Sequence, residues 1–99
     1  MKRKVQITLD RERFLKLDLN AMSEFENLTG NSLFTIGEKL LEAKNMRAIL
    51  YACFKSAKEE ITLEEVGDLI GIDNFEMVSK KLQELMDVSY GKQNDAVGK

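Results

Sequence analysis

Residues 46–58 read MRAILYACFKSAK, the most apolar segment of the chain. Its apolar side chains recur every three or four positions, as they do along one side of a helix. This set consists of Met46, Ile49, Leu50, Cys53, Phe54 and Ala57. Ala48, Tyr51 and Ala52 widen the apolar arc, and a helix that is apolar on most sides usually lies at the centre of a small fold. The segment therefore predicts a central helix, or one whose spare face meets another subunit.

The first part of the chain alternates with a period of two residues, as strands do. In VQITL and again in LKLDL, aliphatic residues fall on one face and polar residues on the other, and the polar link DRER lies between the two runs. The two runs predict a β-hairpin at about residues 4–19 with one apolar face. An isolated hairpin is only marginally stable, so we expect this face to pack on elements that follow.

Capping signals divide the rest of the chain into helices. We expect Asn20 to be the N-cap of a first helix that ends at Gly30, and Gly37 to weaken a second helix. Two further helices begin with the sequence pattern of a capping box, at residues 62–65 and 73–76.

The predicted fold class is α+β, mainly α. The hairpin precedes four to five helices, at about residues 21–29, 32–44, 46–58, 63–70 and 74–88. The length of 99 residues suits one domain with a modest core. We expect a single globular domain over residues 1–90 and a flexible polar tail over residues 91–99.

The composition argues against an enzyme. The chain has no histidine and a single cysteine, so the usual zinc sites and histidine-based catalytic groups are excluded. Its six glycines are scattered and form no phosphate-binding loop. Cys53 lies in the central apolar segment, and we expect a buried thiol there. We predict no catalytic residue, cofactor, metal or small-molecule substrate.

Neither a membrane span nor a secretion signal is predicted. No apolar run has the length needed to cross a bilayer, and the basic start MKRK leads into the alternating VQITLD rather than an apolar core. We expect the protein in the cytoplasm, without a membrane partner.

Residues 62–82, TLEEVGDLIGIDNFEMVSKKL, read as two helices separated by a glycine, the pattern of a helix-turn-helix. Affinity for DNA rests largely on lysine and arginine. Residues 61–90 hold seven acids, two lysines and no arginine, a net charge near −5. That sign is wrong for a surface that approaches DNA, so we expect no nucleic-acid partner.

Charge is distributed unevenly along the whole chain. Residues 1–58 carry eleven bases and seven acids (+4), whereas residues 59–99 carry four bases and ten acids (−6). Much of the positive charge lies in MKRK and RER, at the start and tip of the predicted hairpin. It either forms a solvated edge that deters strand association or helps subunits or partners to meet in a fixed orientation.

Three segments share features with one known family. In LKLDLNAMSEFENLTGNSL (15–33), alternating leucines run into Asn20-Ala21 and a helix with a Glu-x-x-x-Gly ending, here Glu26 and Gly30. Two later helical segments are MRAILYACF (46–54) and ITLEEVGDLI (61–70). Together they resemble the tail assembly chaperones of long-tailed phages and prophages.

This resemblance implies a non-catalytic function. Members of that family bind the long, mostly helical tape-measure protein, keep it soluble, help tail-tube subunits to polymerise around it, and leave before the virion is finished. They are often made in two lengths through a frameshift. The expected partners are thus the tape-measure protein and the tail-tube protein, in the cytoplasm of a bacterial host and not in the mature virion. We also expect a homo-oligomer.

A chaperone for amphipathic helices needs apolar surface that stays exposed after folding. Aromatic residues and adaptable methionines are the candidates for partner binding. They are Tyr51, Phe54, Met77, Met86 and Tyr90. The alternative role of each is ordinary core or subunit interface. Two other functions stay open, a small helix-turn-helix DNA-binding regulator and a generic protein-interaction or adaptor domain.

Overall fold

The hairpin and the helices follow the predicted order. A computed structural model describes residues 4–90, with the side chain of Tyr90 excepted. The strands are β1 (Lys4–Thr8) and β2 (Glu12–Lys16), and the α-helices are α1 (Leu19–Thr29), α2 (Ala43–Ser56), α3 (Leu63–Leu69) and α4 (Phe75–Tyr90). A 3₁₀ helix, Gly37–Leu41, precedes α2. The predicted class, α+β and mainly α with an N-terminal hairpin, is confirmed.

The hairpin turns one face inward. Val5 lies opposite Leu15 and Ile7 opposite Arg13 in the antiparallel register, and all four side chains are buried. The inner face packs on α2 through β2 and on α4 through β1, which confirms that the hairpin is covered by later elements. The alternation stops at Leu17, because Leu19 already belongs to α1, and its side chain is 77% exposed.

Helix α1 is capped at both ends, but the expected N-cap at Asn20 is wrong. The Asp18 carboxylate accepts a hydrogen bond from the Ala21 N–H at 3.0 Å, so the cap lies two residues earlier. Aspartate and asparagine are about equally good caps, so residue type does not decide the position. Because β2 ends at Lys16 and α1 begins at Leu19, Asp18 occupies the cap position. Gly30 ends the helix as expected, in the left-handed conformation with φ 76°.

The α-helix predicted over residues 32–44 does not form. The Ser32 hydroxyl accepts from the Phe34 N–H at 3.1 Å, and the Ser32 carbonyl accepts from the Thr35 N–H at 3.2 Å. Gly37 then has φ +61°, which an α-helix does not allow, and a 3₁₀ helix follows. Local serine hydrogen bonds and a left-handed glycine thus replace the expected helix with a turn. Its apolar residues Leu33 and Ile36 are nevertheless buried.

Helix α2 lies at the centre of the fold, as its composition predicts. It packs on α1, β2 and α3. It begins three residues before the predicted start, since the 3₁₀ helix ends at Leu41. Its buried side chains form much of the core; they are Asn45, Met46, Ala48, Ile49, Leu50, Ala52, Cys53 and Phe54.

Two different devices hold the ends of α3. At its start, the Thr62 hydroxyl accepts from the Glu65 N–H and the Glu65 carboxylate accepts from the Thr62 N–H, so the predicted capping box is confirmed. After its end, the Asn74 amide accepts from the Gly71 N–H at 2.8 Å and donates to the Leu69 carbonyl at 3.0 Å. Asn74, rather than the expected Asp73, therefore fixes the turn that leads into α4.

Helix α4 covers the remaining side of the hairpin. Its buried stripe is Val78, Leu82 and Leu85, and it packs on β1. It continues to Tyr90, two residues beyond the predicted end at 88. The predicted polar tail at residues 91–99 lies outside the described residues.

Candidate partner-binding groove

An open apolar cavity lies where the first half of α2 meets α3 and the start of α4. Its volume is about 440 Å³, which falls in the range of ligand pockets. Its lining is mainly apolar and includes Ala43, Met46, Leu50, Val66, Ile70 and Phe75. Lys44, Arg47 and Gly67 complete the lining. We call this site the α2–α3 groove.

A glycine and an arginine shape the wall between α2 and α3. Val66 is fully buried and anchors α3 on the core, and the next residue, Gly67, has no side chain. A Cβ placed on Gly67 would lie 3.2 Å from Cδ of Arg47. The side chain of Arg47 therefore crosses directly over the backbone of α3, with its Nη1 3.8 Å from the same position, although the residue as a whole is exposed.

The groove continues past Arg47 toward α1. A smaller cavity of about 140 Å³ is lined by Leu28, Thr29, Ala48 and Leu63, and also by Lys44 and Arg47. The two basic side chains thus border both cavities. Leu28 and Phe75, at either end, are among the large hydrophobic residues that stay exposed. Ile72, in the turn three residues before Phe75, is 98% exposed.

The two basic residues of the groove have no acidic neighbour in contact. Within residues 4–90, neither Lys44 nor Arg47 forms an ion pair or a side-chain hydrogen bond. Most other cations in this range are paired with a carboxylate, namely Arg11, Arg13, Lys16, Lys55, Lys80 and Lys81. The groove therefore combines apolar walls with two uncompensated positive charges.

The residues proposed from sequence for partner binding do not converge on this site. Tyr51 is half-buried on α2, one turn after Arg47, and its ring centroid lies 6.0 Å from Nζ of Lys55. Phe54 is fully buried in the core and offers no surface. Tyr90 ends α4, but its side chain lies outside the described residues.

The two methionines proposed from sequence lie apart on α4. Met77 and Met86 are both half-buried beside the core. They are nine residues apart, which corresponds to about half a rotation around an α-helix. They therefore flank the buried stripe from opposite sides and do not form one patch.

Comparison of the chain with protein-family models, with curated proteins and with solved structures finds no match. The resemblance to tail assembly chaperones stays a prediction.

The basic tip of the hairpin is neutralised within the fold. Arg13 is only 6% exposed and donates to Asp10 at 2.8 Å and to Glu59 at 3.2 Å. The hydrogen bond from Arg13 lowers the pKa of Asp10 to about 2, and the same bond raises the pKa of Arg13. Of the two roles open for this charge, a solvated edge does not describe Arg13, because its guanidinium is buried between two carboxylates.

The single thiol has no features of a reactive group. Cys53 is buried, as expected, and burial, followed by the charge of Asp18, raises its pKa. Among residues 4–90, no three cysteine or acidic side chains come together as a metal site requires. In the same range, no helix combines the length and the apolar character of a membrane span.

Proposed function

We propose that this protein is a non-catalytic tail assembly chaperone of a long-tailed phage or prophage. Its α2–α3 groove binds an amphipathic helical segment of the tape-measure protein. The supporting observation is the α2–α3 groove, whose mainly apolar lining is bordered by partly exposed Leu28 and Phe75 above a buried base of Met46, Leu50 and Val66. Helix-in-groove recognition uses this kind of surface.

Binding in the groove suits temporary protection of a partner helix. Each apolar side chain that becomes fully buried contributes about 1.5–3 kcal/mol, and association and ordering offset a large part of this gain. The cavity has room for a few side chains of a helix, not for a whole helix. A contact of this size keeps an apolar stripe out of water and is released when the tail tube replaces it.

The rest of the assignment follows from the same proposal. The tape-measure protein and the tail-tube protein are its partners, it works as a homo-oligomer in the cytoplasm of the bacterial host, and it does not remain in the virion. The resemblance of three segments to the chaperone family supports these points.

The α3–α4 pair supports a protein partner better than a DNA partner. Its two lysines lie beside acids of the same helix: Nζ of Lys80 is 3.8 Å from Glu76, and Nζ of Lys81 is 3.6 Å from Glu84. A duplex requires cations that are free to neutralise phosphates. These ion pairs favour the protein partner over the DNA-binding alternative.

Co-expression with the tape-measure protein of the same gene neighbourhood tests the proposal. We expect the wild-type chain to raise the soluble fraction of the tape-measure protein, and Phe75→Ala to lower this effect. Phe14→Ala is the matched control, because Phe14 is also 38% exposed but lies on the outer face of the hairpin. Circular dichroism checks that both variants fold. If the tape-measure protein is equally insoluble with and without this chain, the proposed function is wrong.

A further inference from the structure

The two unpaired cations of the α2–α3 groove restrict which helix fits it. We propose that the occupant is an amphipathic helix whose apolar stripe is bordered by acidic side chains, which pair with Lys44 and Arg47. This inference rests on the proposed function and specifies the partner segment of the same site. It predicts that a helix with the same apolar stripe but basic borders is rejected.

The positions of the two cations support this requirement. Lys44 and Arg47 are three residues apart on α2, so they are neighbours on one face of the helix, with Cβ atoms roughly 5–6 Å apart. Both border the larger and the smaller cavity. A helix that inserts apolar side chains into these cavities therefore brings its polar border onto the two cations.

The absence of a side chain at Gly67 allows Arg47 to lie at the edge of the groove, near the occupant. Because Gly67 has no side chain, Arg47 lies against the α3 backbone, and its Cδ is 3.2 Å from the position of a Cβ on Gly67. A helix lying in the groove excludes water from this guanidinium. A carboxylate then forms a charge-assisted hydrogen bond with it, whereas a basic residue leaves two like charges in contact.

Lys44 and Arg47 differ from most other cations of residues 4–90, which form an ion pair with a carboxylate. The sequence has 17 acidic residues, yet within residues 4–90 none of them forms an ion pair with Lys44 or Arg47. Nucleic acid would use the same cations, but the accessible apolar residues of the lining, Ala43, Ile70 and Phe75, do not suit a phosphate backbone. An acidic amphipathic helix satisfies both the walls and the charges.

Two labelled synthetic peptides test the charge requirement. Both carry the same leucine stripe at positions i, i+3, i+4 and i+7, one with glutamates at its borders and the other with lysines. Fluorescence anisotropy measures their binding to the full chain. We expect the glutamate peptide to bind at least about tenfold tighter than the lysine peptide, and the difference to shrink in high salt. The double variant K44E/R47E should remove or reverse the preference.

A second double variant controls for net charge. K80E/K81E changes the net charge by the same amount as K44E/R47E, but Lys80 and Lys81 lie on α4 outside the groove lining. It should retain the preference for the glutamate peptide. Loss of preference in both variants would mean that overall charge, not the groove, selects the peptide, and would overturn the inference.

The remaining outcomes separate this inference from the proposed function. Equal binding of both peptides, or binding of neither, overturns the charge requirement, even if co-expression still solubilises the tape-measure protein. Selective binding of the glutamate peptide without any effect on the tape-measure protein supports the charge requirement and overturns the proposed function. A dimer in sedimentation that K44E/R47E abolishes would assign the groove to a second copy of this chain and overturn the peptide inference.

Discussion

Nη1 of Arg13, on the second strand, lies 3.2 Å from Oε1 of Glu59, just beyond the end of α2. The other carboxylate oxygen of Glu59 accepts from the Phe14 N–H at 3.2 Å. Asp10, in the turn between the two strands, accepts a hydrogen bond from Nε of the same guanidinium at 2.8 Å. The hairpin tip and the end of the central helix are therefore joined by a hydrogen-bonded charge cluster in which Arg13 is buried and Asp10 is 40% exposed.

Replacing Arg13 with methionine should strongly destabilise the fold. The change leaves half-buried Glu59 and partly exposed Asp10 without the cation that both contact, so we expect a larger loss of stability than for a surface ion pair. Arg11→Met is the matched control: Arg11 also faces Glu59, at 3.7 Å, but its side chain is 58% exposed, so we expect a loss under about 1 kcal/mol. Urea unfolding measures both. Equal losses would show that burial of Arg13 is irrelevant.

Stability should fall in acid between about pH 4 and pH 2, in part through Asp10. Its pKa is lowered from 3.8 to about 2 by the hydrogen bond from Arg13, so the unfolded chain takes up the proton first as the pH falls. The contribution of Asp10 is therefore complete above its unfolded pKa and is lost as the pH falls through the folded value.

Asp10→Asn isolates this effect. The variant should be less stable than wild type at neutral pH and should show a shallower decline of the urea midpoint below about pH 4. Some decline remains through Asp18: burial acts to raise its pKa, but hydrogen bonds from Ser56 and Ala21 lower it overall. A pH profile parallel to wild type would contradict the assignment to Asp10.

Lys58→Gly should stabilise the protein. The Lys58 N–H donates to the Lys55 carbonyl and the Glu59 N–H donates to the Phe54 carbonyl, so α2 ends in a Schellman motif with Lys58 at the left-handed position, φ 70°. Glycine adopts this conformation without the cost of about 1–2 kcal/mol that other residues bear, and after its own entropic cost we expect a gain of about 0.5–1 kcal/mol. Lys58→Ala keeps the Cβ and should give no gain. A gain of equal size in both variants would point to the lost charge instead.

Gly67→Ala should separate stability from partner binding. Alanine favours a helix over glycine by about 0.8–1.0 kcal/mol, and its Cβ would meet only the flexible Arg47 side chain, so we expect α3 to become more stable. The displaced Arg47 should weaken binding of the glutamate peptide. In an Arg47→Ala background the same glycine change should no longer affect binding, as a double-mutant cycle measures. A stability loss would show that Arg47 cannot shift.

Cys53 should react with a thiol reagent only when the protein unfolds. It is fully buried, and burial raises its pKa, so little thiolate forms in the folded state. We expect the rate of labelling by Ellman's reagent to follow the global unfolding rate, with immediate labelling in denaturant. Rapid labelling under native conditions would reveal local opening of α2.

The elements that the sequence predicts well are those with strong periodic or capping signals. The central α2 and the inner face of the hairpin follow from apolar spacing, and the Thr62–Glu65 box follows from its two residues. The turn at residues 32–36 escaped prediction, since the backbone of Gly37 and the hydroxyl of Ser32 outweigh a helical pattern of apolar residues.

The site was harder to predict than the fold because it depends on how helices meet. Met46 and Leu50 have the spacing of core residues, and only the position of α3 shows that they also line a groove. One residue in the sequence points to the site. Gly67 is unfavourable inside a helix, and in this fold its missing side chain allows Arg47 to cross the backbone of α3. Residue type alone points to Met77 and Met86 but does not reveal that they lie on opposite sides of the buried stripe of α4.

Met46 and Leu50, which form the floor of the α2–α3 groove, belong to the hydrophobic core as well. Met46 and Leu50 are buried in the core and also face the cavity, so a substitution that reshapes the floor also destabilises the molecule. Lys44 and Phe75, at the margin, are free of that constraint because both are exposed. Substitutions that change the proposed binding specificity without loss of stability are therefore expected at Lys44 and Phe75 and not at Met46 and Leu50.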